Sequence, residues 1–145
     1  TKNSLFACLP YRPFIIKPNL HELEELFGVN IQTQEEMLNY AFQLQEKGAC
    51  NVLISCGGEG AFLVSETGQV LTSNTPKGTL VNSVGAGDSM LAAFMAKFIE
   101  TNDYRKSLKQ GAASGSATAF SVGIATRELI EELIPHIKIE EVQRK

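Results

Sequence analysis

Short apolar runs of strand length alternate along this chain with capped helical stretches, and that alternation admits few folds. The runs "FIIK" (14–17) and "NVLIS" (51–55) are continuously apolar rather than alternating, the pattern of strands buried on both faces. Between them Asn19 can cap a helix to Phe27, with Gly28 as its stop. "TQEE" (33–36) is a capping box. It opens a helix to about Lys47, with Met37, Ala41 and Leu44 on one face and Gly48 at its end. "AFLVSE" and "QVLTSN" flank Thr67-Gly68 and predict a hairpin. "TLVNSV" reads as extended. Helices are predicted over about 87–100, 103–120 and 127–136, the last capped by Thr126, and "KIEEV" as a closing strand. "FACLPYRP" is a poor helix start, interrupted by Pro10 and Pro13. Strands alternating with helices predict an α/β layered fold: a mostly parallel sheet flanked by helices, with one antiparallel hairpin.

The totals narrow the function classes. A chain of 145 residues is long enough for one domain with a real core. A net charge of −3 leaves no basic footprint for nucleic acid. No run of 18 apolar residues suggests a membrane span, and the start lacks a secretory layout. Cys8, Cys50 and Cys56 are an odd count without framework spacing, which predicts reduced thiols and a cytoplasmic setting. Five residues separate Cys50 from Cys56, too many for a zinc pair.

In sheets of this kind ligands bind beyond the carboxyl ends of strands. That rule selects three loops: after Lys17, after Ser55, and at 83–88. The third, within "VNSVGAGDSM", places Gly85, Ala86 and Gly87 just before Asp88 and an apolar helical pattern. Small residues at a helix start leave amides facing open space, and the helix dipole makes that mouth an anion site. It suits a phosphate, or the charge that gathers on a phosphoryl group in flight. Asp88, in or before the first turn, could take the proton of an attacking hydroxyl. The plainer alternative is a tight turn with Asp88 as N-cap. No G-x-x-x-x-G-K-[ST] exists, and neither "GAGD" nor "GGEG" continues as a dinucleotide fingerprint.

The loop "SCGGEGA" (55–61) reads either as a glycine connection between strands or as a nucleotide wall. In "KPNLHE" (17–22), Lys17 ends a buried strand, and Asn19 and Glu22 fall on nearly the same side of a helix start. Their oxygens suit Mg²⁺, which takes one or two protein groups and keeps waters. They equally suit an N-cap with a first-turn acid. Small residues crowd "GAASGSATAFSVGIAT" (111–126), either for close helix packing or as a flat wall for a base. His21 reads as an exposed first-turn residue and His136 as a helix-end residue. Neither has the partners of a triad.

Taken together, "VNSVGAGDSMLAAFMA", "KPNLHELEELFG" and "VLISCGGEGAFLV" resemble the C-terminal motifs of the ribokinase-like, or PfkB, sugar kinases. The resemblance is nearest to the branch that phosphorylates fructose 1-phosphate and tagatose 6-phosphate. It covers nearly the whole chain but only the C-terminal half of the family's length. It therefore implies that residues 1–145 are the ATP-binding and catalytic portion of a ribokinase-like domain, without the N-terminal half. The ragged start before Phe14 fits a chain beginning inside the fold, and such a piece would have weak or no kinase activity alone.

The resemblance implies roles residue by residue. Asp88 would be the base toward the sugar hydroxyl, and Gly85, Ala86 and Gly87 the anion hole. Lys17 and Asn19 would lie near the ATP phosphates, and Asn19 with Glu22 would match the N-x-x-E pattern tied to Mg²⁺. Ser55, Cys56, Gly57, Gly58, Glu59, Gly60 and Ala61 would line the nucleotide site, with Gly87, Gly115 and Ser116. Some relatives bind a monovalent cation such as K⁺ through backbone oxygens, which would match Asn82, Val84, Thr118, Ser121 and Gly123. Ser121-Val122 departs from the Asn or Gln common before that glycine, and weakens a side-chain contact there. ATP and a sugar phosphate would be the partners, in a parent that pairs as a homodimer. The rivals are a nucleotide-binding module without catalysis and a structural domain whose glycines only make turns.

Overall fold

The computed structural model describes residues 2–81, 85–122 and 125–143, with the side chains of 2–4 left aside. The chain is α/β. Its five strands, β1 (Ile15–Ile16), β2 (Asn51–Ser55), β3 (Ala61–Val64), β4 (Val70–Ser73) and β5 (Ile139–Glu141), form a mixed sheet ordered β1-β2-β3-β4-β5. Six α-helices accompany it: α1 (Lys2–Cys8), α2 (Leu20–Phe27), α3 (Gln34–Glu46), α4 (Ala86–Thr101), α5 (Tyr104–Ala119) and α6 (Arg127–Leu133). Two compact units divide the chain: residues 1–56, 62–70 and 142–145, and residues 57–61 and 71–141.

In the first unit β1 and β2 are parallel, Ile15 opposite Asn51 and Ile16 opposite Val52. Parallel neighbours need a crossover, which α2 and α3 supply. Asn19 caps α2 with a reciprocal box: its Oδ1 accepts from Glu22 N at 2.7 Å, and Glu22 Oε1 accepts from Asn19 N at 3.0 Å. Gly28, at φ 64°, closes the helix by donating to the Glu24 and Glu25 carbonyls. Thr33 caps α3 as the sequence suggests, its Oγ1 accepting from Glu36 N at 3.1 Å. The other half of that box shifts by one residue, because Glu36 Oε2 accepts from Gln32 N. Met37, Ala41 and Leu44, with Leu38, bury the inner face of α3 against Ile16, Val52 and Ile54. Asn51 is fully buried and both ends of its side-chain amide are paired: Nδ2 donates to the Phe14 carbonyl, and Oδ1 accepts from Glu66 N, each at 2.8 Å.

In the second unit β4 and β5 are antiparallel, with Leu71 opposite Glu141 and Ser73 opposite Ile139. Asp103 caps α5, its Oδ1 accepting from Lys106 N at 3.0 Å. Helices α4 and α5 pack at short range through glycines on α5. A Cβ at Gly111 would lie 2.8 Å from the Met90 carbonyl oxygen, and one at Gly115 3.1 Å from the Ala86 carbonyl oxygen. Phe94 and Leu108 are wholly buried. Ala112, Ala113 and Ala117 pack with Leu133 and Ile137.

Some expectations need revision. "FIIK" gives only a two-residue strand. A helix precedes "LPYRP" after all: α1 ends at Cys8, before Pro10, which sits in a 3₁₀ turn, Leu9–Tyr11, where its missing N–H costs little. The last helix stops at Leu133 and continues as a 3₁₀ turn around Pro135. The β4–β5 pair adds an antiparallel element beyond the hairpin, so the sheet is mixed. In "TLVNSV", 79–81 form no strand, and 82–84 lie outside the described residues. Among the described residues no helix is long and apolar enough to cross a membrane, and the three cysteines carry no disulfide.

Candidate functional site

Two groups of candidate residues emerge, one in each unit. In the first, the loop after β1 runs beside the carboxyl end of β2. Ser55 N donates to the Pro18 carbonyl at 3.2 Å, and Asn19 forms a parallel bridge with Ser55. Lys17, Asn19 and Ser55 are thus gathered at the strand end where α/β sheets bind ligands. Lys17 is half-buried, and Asn19 and Glu22 are exposed. Cys56 is half-buried, its Sγ 3.8 Å from Met37 Sδ.

Asn19 and Glu22 lie side by side, as the N-x-x-E spacing requires, but they also serve as cap and counter-cap. The two roles are compatible, since an amide oxygen and a carboxylate keep further lone pairs while accepting one amide each. The pair fits a magnesium ion that retains most of its waters. Among the described residues no cluster of three or more His, Cys, Asp or Glu is placed to hold a metal, so any Mg²⁺ site here would need ligands from water or a bound phosphate.

In the second unit, the glycine loop after β2 is a 3₁₀ turn, Gly57–Glu59, exposed throughout. Its three glycines have different reasons to be glycine. Gly57 has φ 55° and open space around it; Gly60 is pressed against the β4 backbone at Ser73. Gly58 has an ordinary φ, and a Cβ there would meet nothing within 4 Å. The fold does not require it. Thr75 Oγ1 donates to the Gly57 carbonyl at 2.8 Å and holds the turn. Ala61 begins β3 and is buried.

Helix α4 starts at Ala86, with Gly85 as N-cap at φ 83°, ψ −9°. That left-handed conformation is one a side chain resists. Gly85 offers no side chain to cap the amides of Ala86, Gly87 and Asp88, and a Cβ built on it meets nothing within 4 Å. Among the described residues no side chain caps that mouth. Asp88 is the third helical residue, exposed, and so is not the N-cap of the plainer reading. Ser89 N donates to the Gly85 carbonyl at 2.9 Å as the first turn closes.

Gly115 is buried against Ala86 and Met90, so packing accounts for its lack of a side chain, and Ser116 beside it is half-buried. Of the five positions matched to a monovalent-cation site, Asn82, Val84 and Gly123 lie outside the described residues. Thr118 and Ser121 turn their hydroxyls to backbone carbonyls of α5, those of Ser114 and Ala117. One contact had no local signal in the sequence: Thr118 Oγ1 lies 2.8 Å from Ser89 Oγ, across 29 positions.

The chain thus combines a mixed α/β sheet with a helix start that has no side-chain cap and carries an acid in its first turn. The profile of the pfkB family carbohydrate kinases matches residues 2–130, and the chain belongs to that family. It is 43% identical over 136 residues to a 1-phosphofructokinase of Bacillus subtilis, covering 94% of this chain and 45% of that protein. It is 36% identical to a D-tagatose-1-phosphate kinase of Bacillus licheniformis, over 93% of this chain and 44% of that protein. A crystal structure of a candidate phosphofructokinase from Staphylococcus aureus superposes with a TM-score of 0.90 at 34% identity, covering 97% and 45% of the two chains. The phosphofructokinase-2 of Escherichia coli in complex with potassium gives 0.83 at 26% identity, covering 92% and 44%. The chain spans less than half the length of these relatives.

Proposed function

We propose that this chain is the nucleotide-binding and catalytic portion of an ATP-dependent sugar-phosphate kinase. The observation that carries the reading is the start of α4: bare amides behind a left-handed Gly85, and an exposed Asp88 not spent on capping. The amides of Ala86 and Gly87, backed by the helix dipole, would draw negative charge from the γ-phosphoryl group as it leaves ATP. Asp88 would accept the proton of the attacking hydroxyl. Lys17, Asn19 and Ser55, at the ends of the parallel strands, would meet the ATP phosphates. Mg²⁺ held by Asn19 and Glu22 would neutralise phosphate charge.

Fructose 1-phosphate is the acceptor this reading favours, giving fructose 1,6-bisphosphate, on the strength of the 43% identity to a 1-phosphofructokinase. A tagatose phosphate is the second choice, given the tagatose-1-phosphate kinase relative. Acceptor contacts and the surface that pairs subunits would belong to the remaining length of a longer protein, so the 145 residues alone should turn over little substrate. A monovalent-cation requirement is a further part of the proposal, supported by the potassium complex of the Escherichia coli relative.

Three measurements test this reading. Mg-ATP should raise the melting temperature of the chain, as a ligand of the native state does; the absence of any shift would favour a structural domain. Asn19→Ala should lower stability by about 1 kcal/mol through the lost cap. Asn19→Ser should keep the cap and the stability but raise the KM for Mg-ATP in the full-length kinase carrying this chain. An unchanged KM in the serine variant would leave Asn19 as a cap alone. Gly58→Ala should leave stability within about 0.5 kcal/mol, as for a surface change without a special backbone angle. It should still weaken ATP binding, because the added methyl would stand between backbone and nucleotide; unchanged ATP affinity would remove Gly58 from the nucleotide wall.

A further inference from the structure

The hydroxyl contact between Ser89 and Thr118 has no part in the chemistry outlined above, yet it sits one residue from Asp88. Thr118 Oγ1 donates to Ser89 Oγ at 2.8 Å and also lies 3.0 Å from the Ser114 carbonyl oxygen. Both side chains are half-buried. The contact joins the first turn of α4 to the last turns of α5. Three residues earlier on α5, Gly115 brings its backbone against the Ala86 carbonyl and Met90; one turn before that, Gly111 lies against the Met90 carbonyl. Gly111, Gly115 and Thr118 thus form one stripe along α5. The glycines permit the approach but give no direction to it. A hydrogen bond has a preferred geometry, and the Thr118–Ser89 pair is the polar, directional contact on that stripe.

We infer that Thr118 is a positioning residue: through Ser89 it fixes the rotation and depth of the first turn of α4, and with them the Gly85–Gly87 amides and Asp88. This inference rests on the proposed role of that turn. It is separate from any carbonyl role of Thr118 toward a cation, since it concerns the hydroxyl. Transfer chemistry tolerates little misplacement, so a small turn of α4 should lower turnover far more than binding.

The test compares Thr118→Val with Thr118→Ser in the full-length kinase carrying this chain, with Asp88→Asn as control. Thr118→Val should lower kcat roughly tenfold or more, as misplacement of about an ångström does, with the KM for ATP unchanged. Thr118→Ser, which keeps the hydroxyl, should restore kcat. Hydrogen exchange gives a readout independent of activity: the amides of Ser89 and Met90 should exchange about fivefold faster in Thr118→Val, the loss of one hydrogen bond, while α2 and α3 keep their rates. Unchanged exchange at Ser89 and Met90, or faster exchange everywhere alike, overturns the inference. So does a kcat that serine fails to restore. Normal turnover in Asp88→Asn would instead sink the base role of Asp88, and the exchange data would still decide whether Thr118 fixes the turn.

Discussion

Replacing Asp88 with Asn should lower turnover of the proposed full-length kinase by about 10²–10⁴-fold, the range expected for loss of a general base. The substitution keeps the shape of the side chain and one acceptor oxygen, but an amide takes no proton. ATP affinity should be retained, because the amides of Ala86 and Gly87 are untouched. Stability should change by no more than about 0.5 kcal/mol, since Asp88 is exposed and serves no cap. Steady-state kinetics beside calorimetric ATP titration separates these effects. Turnover near that of the native protein would remove Asp88 from the reaction, and the module without catalysis would then be the better reading.

The second large effect falls on folding. Gly60→Val should destabilise the protein by about 3–5 kcal/mol, combining backbone strain with overpacking. At φ 95° Gly60 already holds a conformation that side chains resist, and a Cβ there would meet the Ser73 carbonyl oxygen at 1.9 Å and the Asn74 Cα at 3.2 Å. These are backbone atoms. Ser73 cannot retreat without disturbing its pairing with Ile139 on β5. Urea unfolding of Gly60→Val beside Gly58→Ala makes the comparison internal: two glycines of one loop, one needed for folding and the other free to serve a ligand. A Gly60→Val protein as stable as the native one would contradict the close approach of the loop to β4.

Much of the fold was legible because its signals are local. Asn19, Thr33 and Thr126 announce helix starts by side chains that reach only three residues ahead, and Gly28 announces a stop by its backbone angle. The unbroken apolar run of β2 needs no partner to be recognised. Helix α1 was hidden because Pro10 draws attention to a break, while the break lies beyond the helix end. The β4–β5 pairing joins residues nearly seventy positions apart, and neither strand carries a mark of its partner. At the candidate site, the glycines and Asp88 stood out as residue types. Their uses did not: only coordinates separate Gly60, held by packing, from Gly58, which the fold leaves open. They also set Asp88 at the third helical position rather than at the cap. The Thr118–Ser89 contact was invisible for the same reason as the β4–β5 pair.

One structure would test the central claim directly: the proposed full-length kinase, crystallised with Mg-ADP, aluminium fluoride and fructose 1-phosphate. The fluoride, standing in for the phosphoryl group in flight, should lie roughly 2.7–3.1 Å from the amides of Ala86 and Gly87. The acceptor hydroxyl should lie about 2.6–3.2 Å from an Asp88 carboxylate oxygen. A fluoride seated away from the mouth of α4, or an Asp88 carboxylate out of reach of any acceptor hydroxyl, would contradict it.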